Sequence, residues 1–234
     1  MKIRPAEPED ILELVHLNKL DITRWRHFRE NVGFTEECSW DDLTPFERYM
    51  HGGPWLDPQL FRIQLKTYNL CEGTIFVAEE KGTIIGEADL IISNEPAPYY
   101  RNLGLIWILV SPSHRRKLIA SALMQTSIQY GKQNNCIHYF TWPEDERSPN
   151  FYLNIGFQKV WDLEYYRGKP TRPSIIPDAE VEERSLVDYP KELIQVINRH
   201  NPAAYSWAQF IVHDEMQKIM RTFIQKDVFT AKIK

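Results

Sequence analysis

Hydrophobic and polar residues recur with two distinct periods along the first two thirds of the chain, and the period decides each element. Lys2-Ile-Arg-Pro5 reads as a short edge strand, because proline cannot donate to a ladder. Pro8-Glu-Asp10 opens a helix in which Ile11, Leu14 and Val15 fall at helical spacing, with acids in the first turn where they complement the helix dipole. Residues 74–79 and 83–92 are β-branched runs on either side of Lys81-Gly82, the pattern of a hairpin. Residues 103–111 form another strand. Ile119, Ala122, Leu123, Thr126 and Tyr130 then recur at i, i+3, i+4, i+7 and i+11, which predicts one buried helical stripe. Residues 136–141 read as a strand, 148–155 as a short helix and 157–165 as a last strand. This alternation predicts an α/β (α+β) domain, a mixed sheet flanked by helices.

Two stretches break the pattern. Residues 21–72 are irregular and rich in large side chains, among them Trp25, Phe28, Phe34, Trp40, Phe46, Trp55, Phe61 and Tyr68, with a turn at His51-Gly-Gly-Pro54. Core and helix packing is the ordinary reading for each aromatic. Gly168-Lys-Pro-Thr-Arg-Pro-Ser-Ile-Ile-Pro177 is a proline-punctuated linker. Beyond it, residues 178–234 predict a mainly helical extension. Leu193, Val196 and Ile197 make one stripe, and Met216, Ile219, Met220, Phe223 and Ile224 make another. Glu183-Arg-Ser-Leu-Val-Asp188 and Leu193-Ile-Gln-Val-Ile197 echo Ile3-Arg4 and Ile11-Leu-Glu-Leu-Val15. The extension is thus either a partial second copy of the opening unit or an unrelated helical appendage.

Composition narrows the class. The chain has 234 residues, 43% of them hydrophobic, enough for a substantial core. A net charge of −4 speaks against a nucleic-acid footprint over the whole molecule, leaving only the local basic run His114-Arg-Arg-Lys117. No apolar run reaches the length of a membrane span, and Met-Lys-Ile-Arg-Pro is not a signal peptide. Cys38, Cys71 and Cys136 are odd in number and far apart, as expected of reduced thiols in a cytoplasmic protein. No zinc site is expected, since only Cys136/His138 are close in sequence and both fall in a strand.

Residues 104–160 carry the densest chemical pattern. Gly104-Leu-Ile-Trp-Ile-Leu-Val-Ser-Pro112 is a strand that runs into a basic turn and a helix, Ser113-His-Arg-Arg-Lys-Leu-Ile-Ala-Ser-Ala-Leu-Met124. Unpaired amides at the start of a helix, reinforced by its dipole, favour an anion such as phosphate. The stretch closes on Asn150-Phe-Tyr-Leu-Asn-Ile-Gly-Phe157. The order and spacing of these pieces resemble the GNAT superfamily of acyl-CoA-dependent N-acyltransferases. That family's Arg/Gln-x-x-Gly-x-Gly/Ala loop is matched by Arg115-Arg-Lys-Leu-Ile-Ala120, with Leu118 in place of the first glycine. Its Tyr-x-x-x-Gly-Phe segment is matched by Tyr152-Leu-Asn-Ile-Gly-Phe157. The resemblance spans about residues 1–165.

The resemblance implies a GNAT-like, mostly antiparallel sheet over residues 1–167. It implies acetyl transfer from acetyl-CoA to a primary amine by direct attack, with no metal. Backbone groups around Leu109 and Val110 are expected to pair with the pantetheine arm. The pyrophosphate is expected over the amides of Arg116, Lys117, Leu118, Ile119 and Ala120, with the charges of Arg115, Arg116 and Lys117 nearby. Leu118 is a departure that weakens close backbone approach. Tyr152 matches the family's general acid, and Asn150 and Asn154 are weaker candidates for contact with the CoA or the helix start. Members with a glutamate base on the fourth strand carry it where this chain has Gly104. Glu87 is the alternative base. Glu87 and Asp89 stand at i, i+2 and share one strand face, read here as a solvated face, with an acceptor cleft as the alternative. The acceptor is a small-molecule or peptide amine, with neither nucleic acid nor membrane as partner and a homodimer left open. The acids Glu36, Glu37, Asp41 and Asp42 suit a cationic polyamine or aminoglycoside, or are a solvated run. Two other classes compete: a non-catalytic acyl-CoA-binding module and an interaction scaffold built on residues 21–72 and the tail.

Overall fold

The hairpin around Lys81-Gly82 supplies two adjacent inner strands of a five-stranded sheet. Both turn residues have positive φ (53° and 79°), the geometry of a two-residue hairpin whose twist matches its strands. In chain order the elements are β1 (Lys2–Pro5), α1 (Ile11–Lys19), β2 (Arg26–Arg29), β3 (Gly33–Glu37), α2 (Pro45–Met50), α3 (Pro58–Leu70), β4 (Gly73–Glu80), β5 (Thr83–Asn94), β6 (Arg101–Val110), α4 (Ile119–Gln133), β7 (His138–Thr141), α5 (Ser148–Asn154), β8 (Ala179–Glu183), α6 (Ala203–Met220) and β9 (Phe229–Ile233). This computed structural model describes residues 1–95, 100–143, 148–159, 179–183, 203–221 and 229–233. The expected last strand beyond residue 159, the linker 168–177, the stripe at 193–197 and Phe223–Ile224 lie outside the described residues. Residues 157–159 carry no strand.

The chain forms two compact units, Met1–Trp142 with Val187–Ile224, and Pro143–Leu186 with Gln225–Lys234. In the first, a five-stranded sheet runs β1-β4-β5-β6-β7. Its first four strands are antiparallel neighbours, and β7 pairs with β6 in parallel. This is the mixed, mostly antiparallel sheet flanked by helices that the sequence predicts. The second unit contains α5 and the antiparallel strand pair β8–β9, in register from Ala179↔Ile233 to Glu183↔Phe229.

Both faces of β5 are buried. On one face α4 packs so closely that a Cβ at Gly86 would lie 3.3 Å from both Ile119 and Leu123, and 3.1 Å from the Leu109 carbonyl. The residues of α4 that are fully buried are Ile119, Leu123, Met124, Ser127 and Gly131. Ala122, Thr126 and Tyr130 of the predicted stripe are half-buried. The small residues Ser127 and Gly131 turn the buried face, because a Cβ at position 131 would meet Tyr139 at 2.6 Å and Leu103 at 3.1 Å. On the other face the core joins Leu14 and Val15 of α1, Phe61 and Tyr68 of α3, Ile75 and Val77 of β4, and Tyr205 and Ala208 of α6.

Residues 21–72, irregular by pattern, contain the hairpin β2–β3 and the helices α2 and α3. The β2–β3 strands are short, charged and interrupted by a register shift between Arg26 and Phe28, so no alternation is readable. Their aromatic side chains pack edge-on, Phe28 against Phe34 (5.3 Å) and Phe46 (5.8 Å). Asp57 starts α3: its Oδ1 accepts from the amides of Gln59 (2.9 Å) and Leu60 (3.1 Å), and its Oδ2 accepts from Arg48 Nη1 (2.9 Å). The Arg48 guanidinium lies 3.7 Å from the centre of the Trp40 ring, and Lys19 Nζ lies 3.6 Å from it. α6 buries Val212 and Met216 against Leu60 and Ile63 of α3.

Candidate active site

The pairing of β6 changes at one residue. Asp89 faces Trp107 and Leu90 faces Leu105, so Ile106 is an extra residue on β6. β7 pairs with β6 only from Asn102 to Leu105. A bulge bends its strand, and here it falls where the neighbour stops. Among the described residues, the edge of β6 from Ile106 to Val110 that faces away from β5 has no strand partner.

The orientation of its backbone groups follows from one bond. Ser111 N–H donates to the Ile85 carbonyl at 2.9 Å, so Ser111 faces β5. Backbone groups alternate sides along a strand, so those of Leu109 and Trp107 also face β5. Those of Ile108 and Val110 face the open edge. Arg115 Nε takes the Val110 carbonyl at 3.1 Å. Of the two residues expected to offer backbone to a pantetheine arm, Leu109 is thus committed to the ladder, and Ile108 is on the open side instead.

Beyond Ser111 the chain makes a 3-10 turn over Pro112–His114 and enters α4 through an unusual path. Arg116 and Leu118 both have φ of 63°, the left-handed region, with extended Arg115 before them. The first turn of α4 begins with Ala122 N–H on the Leu118 carbonyl at 2.9 Å. The amides of residues 116–121 have no backbone partner among the described residues. Alternating handedness brings successive N–H groups round to one concave side, an arrangement that holds anions. The arrangement accounts for Leu118: it occupies a conformation natural to glycine and disfavoured for a residue with a Cβ. Its side chain is 77% exposed, pointing away from the protein. Arg116 and Lys117 are also exposed. Arg115 is held elsewhere, ion-paired to Asp21 as well as bonded to Val110.

Glu87 and Asp89 are not on a solvated face. Both are 0% exposed, on the face of β5 covered by α1, α3 and α6. Asp89 Oδ2 accepts from Tyr68 Oη (2.7 Å) and Trp55 Nε1 (2.9 Å). Glu87 Oε1 accepts from Asn18 Nδ2 (2.6 Å), and Asn18 Oδ1 accepts from Trp107 Nε1 (3.2 Å). The Trp55 and Trp107 rings stack at 5.5 Å and 23°. The second oxygens, Glu87 Oε2 and Asp89 Oδ1, are buried with no hydrogen-bond partner. Burial, and then the charge of Asp89, push the Glu87 carboxyl well above its ordinary range. Burial pushes Asp89 up to about 6, opposed by the bonds from Trp55 and Tyr68. Both carboxyls thus hold a proton more tightly than a free carboxyl does, and the two donors on Asp89 favour its charged form.

Tyr152 lies on α5, in the second unit, and is buried. Its ring packs on Phe151 (5.2 Å) and Phe157 (5.7 Å), and its carbonyl accepts from the Phe157 amide at 3.0 Å, after Gly156 turns the chain at φ 96°. Asn150 and Asn154 are exposed. Of the acids at 36–42, Glu36 pairs with Arg29, Glu37 with Arg24, and Asp42 with Ser39. The three cysteines are free thiols. Among the described residues no cluster of His, Cys, Asp and Glu is arranged to hold a metal ion, and no helix is long and apolar enough to cross a membrane.

Three comparisons place the chain. The rat protein N-acetyltransferase 8 (Rattus norvegicus) is 29% identical over 128 residues, which cover 50% of this chain and 57% of that protein. The rat N-acetyltransferase 8F1 is 27% identical over 121 residues, 48% of this chain and 55% of its own length. The chain thus spans about half the length of the curated relatives it matches. An aminoglycoside N-acetyltransferase solved in complex with CoA superposes with a TM-score of 0.50 at 20% identity, over 72% of this chain and 95% of that one, a likeness of fold. The profile of the acetyltransferase (GNAT) family matches residues 35–157, just over half the chain, from within β3 to the end of the Tyr152 segment. The chain belongs to the acetyltransferase (GNAT) family.

Proposed function

We propose that this protein transfers the acetyl group of acetyl-CoA to a primary amine. The observation that carries the reading is the open edge of β6 beyond the Ile106 bulge, leading directly into the unpaired amides of residues 116–121. A strand edge matches the amides of a pantetheine arm, and the concave turn matches a pyrophosphate. Ile108 and Val110 hold the arm. The amides from Arg116 to Ala120 hold the phosphates, assisted by the free charges of Arg116 and Lys117. Arg115 braces the turn against Asp21 and the strand end.

Three proton transfers complete the reaction: one leaves the ammonium, one goes to the departing sulfur, and one passes from the new amide nitrogen to the phenolate left behind. The amine nitrogen forms a bond to the acetyl carbon as the carbon–sulfur bond breaks. The match of Tyr152 to the family's general acid assigns its hydroxyl the proton taken by the departing sulfur, a role suited to a phenol that stays protonated at neutral pH. The surplus proton of the incoming ammonium passes to the Glu87–Asp89 pair, which holds one negative charge. Since neither carboxyl has exposed surface, a bridging water carries that proton. The acceptor is a small-molecule or peptide amine, and the aminoglycoside N-acetyltransferase of like fold supports the small-molecule class.

Steady-state release of CoA thiol with a panel of small amines and peptide N-termini tests this reading, beside calorimetry of acetyl-CoA. Turnover with any one amine supports it. A second reading, a non-catalytic acyl-CoA-binding module, is favoured by Gly104 where a glutamate base stands in other members, and by Leu118 in a left-handed position. It predicts acetyl-CoA binding with no thiol release from any amine, and that outcome overturns the enzymatic reading.

A further inference from the structure

Asp89 is the meeting point of chain segments far apart in sequence. Tyr68 of α3 donates to it, and the Tyr68 ring lies nearly parallel to that of Tyr205 on α6, with centroids 6.0 Å apart at 28°. Gln64, one turn earlier on α3, donates Nε2 to Tyr205 Oη at 2.6 Å. All three are buried: Tyr68 and Tyr205 are 2% exposed and Gln64 is 0% exposed. Outside this core, Lys66 Nζ pairs with Glu215 at 2.5 Å, tying the same two helices together.

Resting on the reading of Glu87 and Asp89 as the proton sink, we propose that Tyr205 is a positioning residue that clamps Tyr68 between α3 and α6. The clamp keeps the Tyr68 hydroxyl on Asp89, so that Asp89 is the anion of the pair and Glu87 its protonated member. The assignment follows from the donor count. Asp89 Oδ2 receives two donors and Glu87 receives one. Hydrogen bonds to a carboxylate favour its charged form, and two carboxyls on one buried face do not both ionise cheaply. The titratable groups facing Asp89 are Glu87 on its own strand, Tyr68 of α3 and Tyr205 of α6, with Cys71, just past the end of α3, beside Tyr205. Trp55, Asn18 of α1 and Trp107 of β6 complete the surroundings without a titratable group. Glu13 of α1 is at the far end of β5, bonded to the Ile84 amide. No cation stands among these neighbours in the described residues, so hydrogen-bond donors, set against burial, bias which carboxyl is charged. A helix from the C-terminal part of the chain thereby sets the pH at which the pair accepts a proton.

The test is a pH titration of the full-length protein with 13C-labelled Asp and Glu carboxyls, followed by NMR. Tyr68→Phe is expected to move the Asp89 titration upward by about one to two pH units, the worth of one hydrogen bond to a charged group. Tyr205→Ala is expected to move it in the same direction, and Tyr205→Phe, which keeps the ring, to restore it. If Tyr205→Ala does not fold, Tyr205→Leu takes its place, filling the space without a ring. An unmoved Asp89 titration in Tyr68→Phe or in the folded Tyr205 variant overturns the proposal, as does an equal shift in Tyr205→Phe and Tyr205→Ala. The acid limb of the acetyl-transfer pH profile should follow the same shifts. Should no amine be acetylated even by the unaltered protein, the functional reading fails while the carboxyl titration still decides this one.

Discussion

The turn at 115–121 and the carboxylate pair at 87–89 are built by opposite means. The turn is made of consecutive residues, exposed to solvent, and its working groups are backbone amides. The pair is fully buried, and its working groups are side chains whose partners come from positions 18, 55 and 68, with Trp107, Gln64 and Tyr205 behind them. The backbone site tolerates an odd side chain, and Leu118 shows it. The buried site has no such freedom, because each unsatisfied polar atom in a core costs free energy. Changes to buried side chains should therefore appear in rate and pH dependence, and changes to the exposed turn in affinity and salt dependence.

The largest effect is expected at Tyr152, buried in the second unit. Tyr152→Phe removes only a hydroxyl. The turnover number should fall by about 10²–10⁴, the range of a positioned proton donor, with little change in acetyl-CoA affinity. A drop in melting temperature with unchanged turnover assigns the hydroxyl a structural role instead.

Next comes Glu87→Gln. The folded protein holds the proton of Glu87 more tightly than the unfolded chain, whose ordinary value is 4.5. The sign follows: its contribution to stability is complete below that value and is lost as pH rises toward the folded value. Glutamine does not titrate. The variant should melt near the wild-type temperature at pH 4 and about 2–6 °C higher at pH 8. An equal change at both pH values would detach the effect from the proton.

A smaller effect is expected from Arg116→Gln with Lys117→Gln. Acetyl-CoA should bind about 3–10-fold more weakly at low salt, and the difference should shrink as salt screens the phosphates. Arg115→Gln should loosen the turn through Asp21 and Val110 without this salt dependence. Calorimetry at two ionic strengths separates the two.

The smallest is Leu118→Gly. Relief of the left-handed backbone, worth about 1 kcal/mol, is partly offset by the freedom glycine gains when unfolded. A melting temperature raised by about 1–3 °C is expected, with slightly tighter acetyl-CoA binding. A lower melting temperature, measured by calorimetry, removes strain as the account of position 118.

How much of this was legible in the sequence follows the same division. The strands around Lys81-Gly82 and the strand–turn–helix at 104–124 are local patterns, and they stand where the periods put them. Glu87 and Asp89 were legible as a pair on one face, but not as buried. Acids alternating with Gly86 and Ala88 read as a half-solvated strand. The corrective signal was the run from Ile84 to Ile92, apolar on both sides of the acids, as in a central strand covered on both faces. The partners of the pair were not legible, because only tertiary packing brings Trp55 or Tyr205 to Asp89. Ile108 was missed for a different reason: which strand residues face the open edge depends on ladder register, and no side-chain pattern encodes it.

The bond from Gln64 to Tyr205 joins residues 141 positions apart. That span bears on the order of events at the ribosome. Emerging from its N-terminus, the chain makes α3 and the sheet early, but the helix that covers Leu60, Ile63 and Tyr68 only after residues 143–186 have been made. Early-made segments fold first where they can, and contacts between distant residues form slowly. The first unit must therefore wait with an apolar face uncovered while another unit is synthesised, and that interval is when this protein most needs a chaperone.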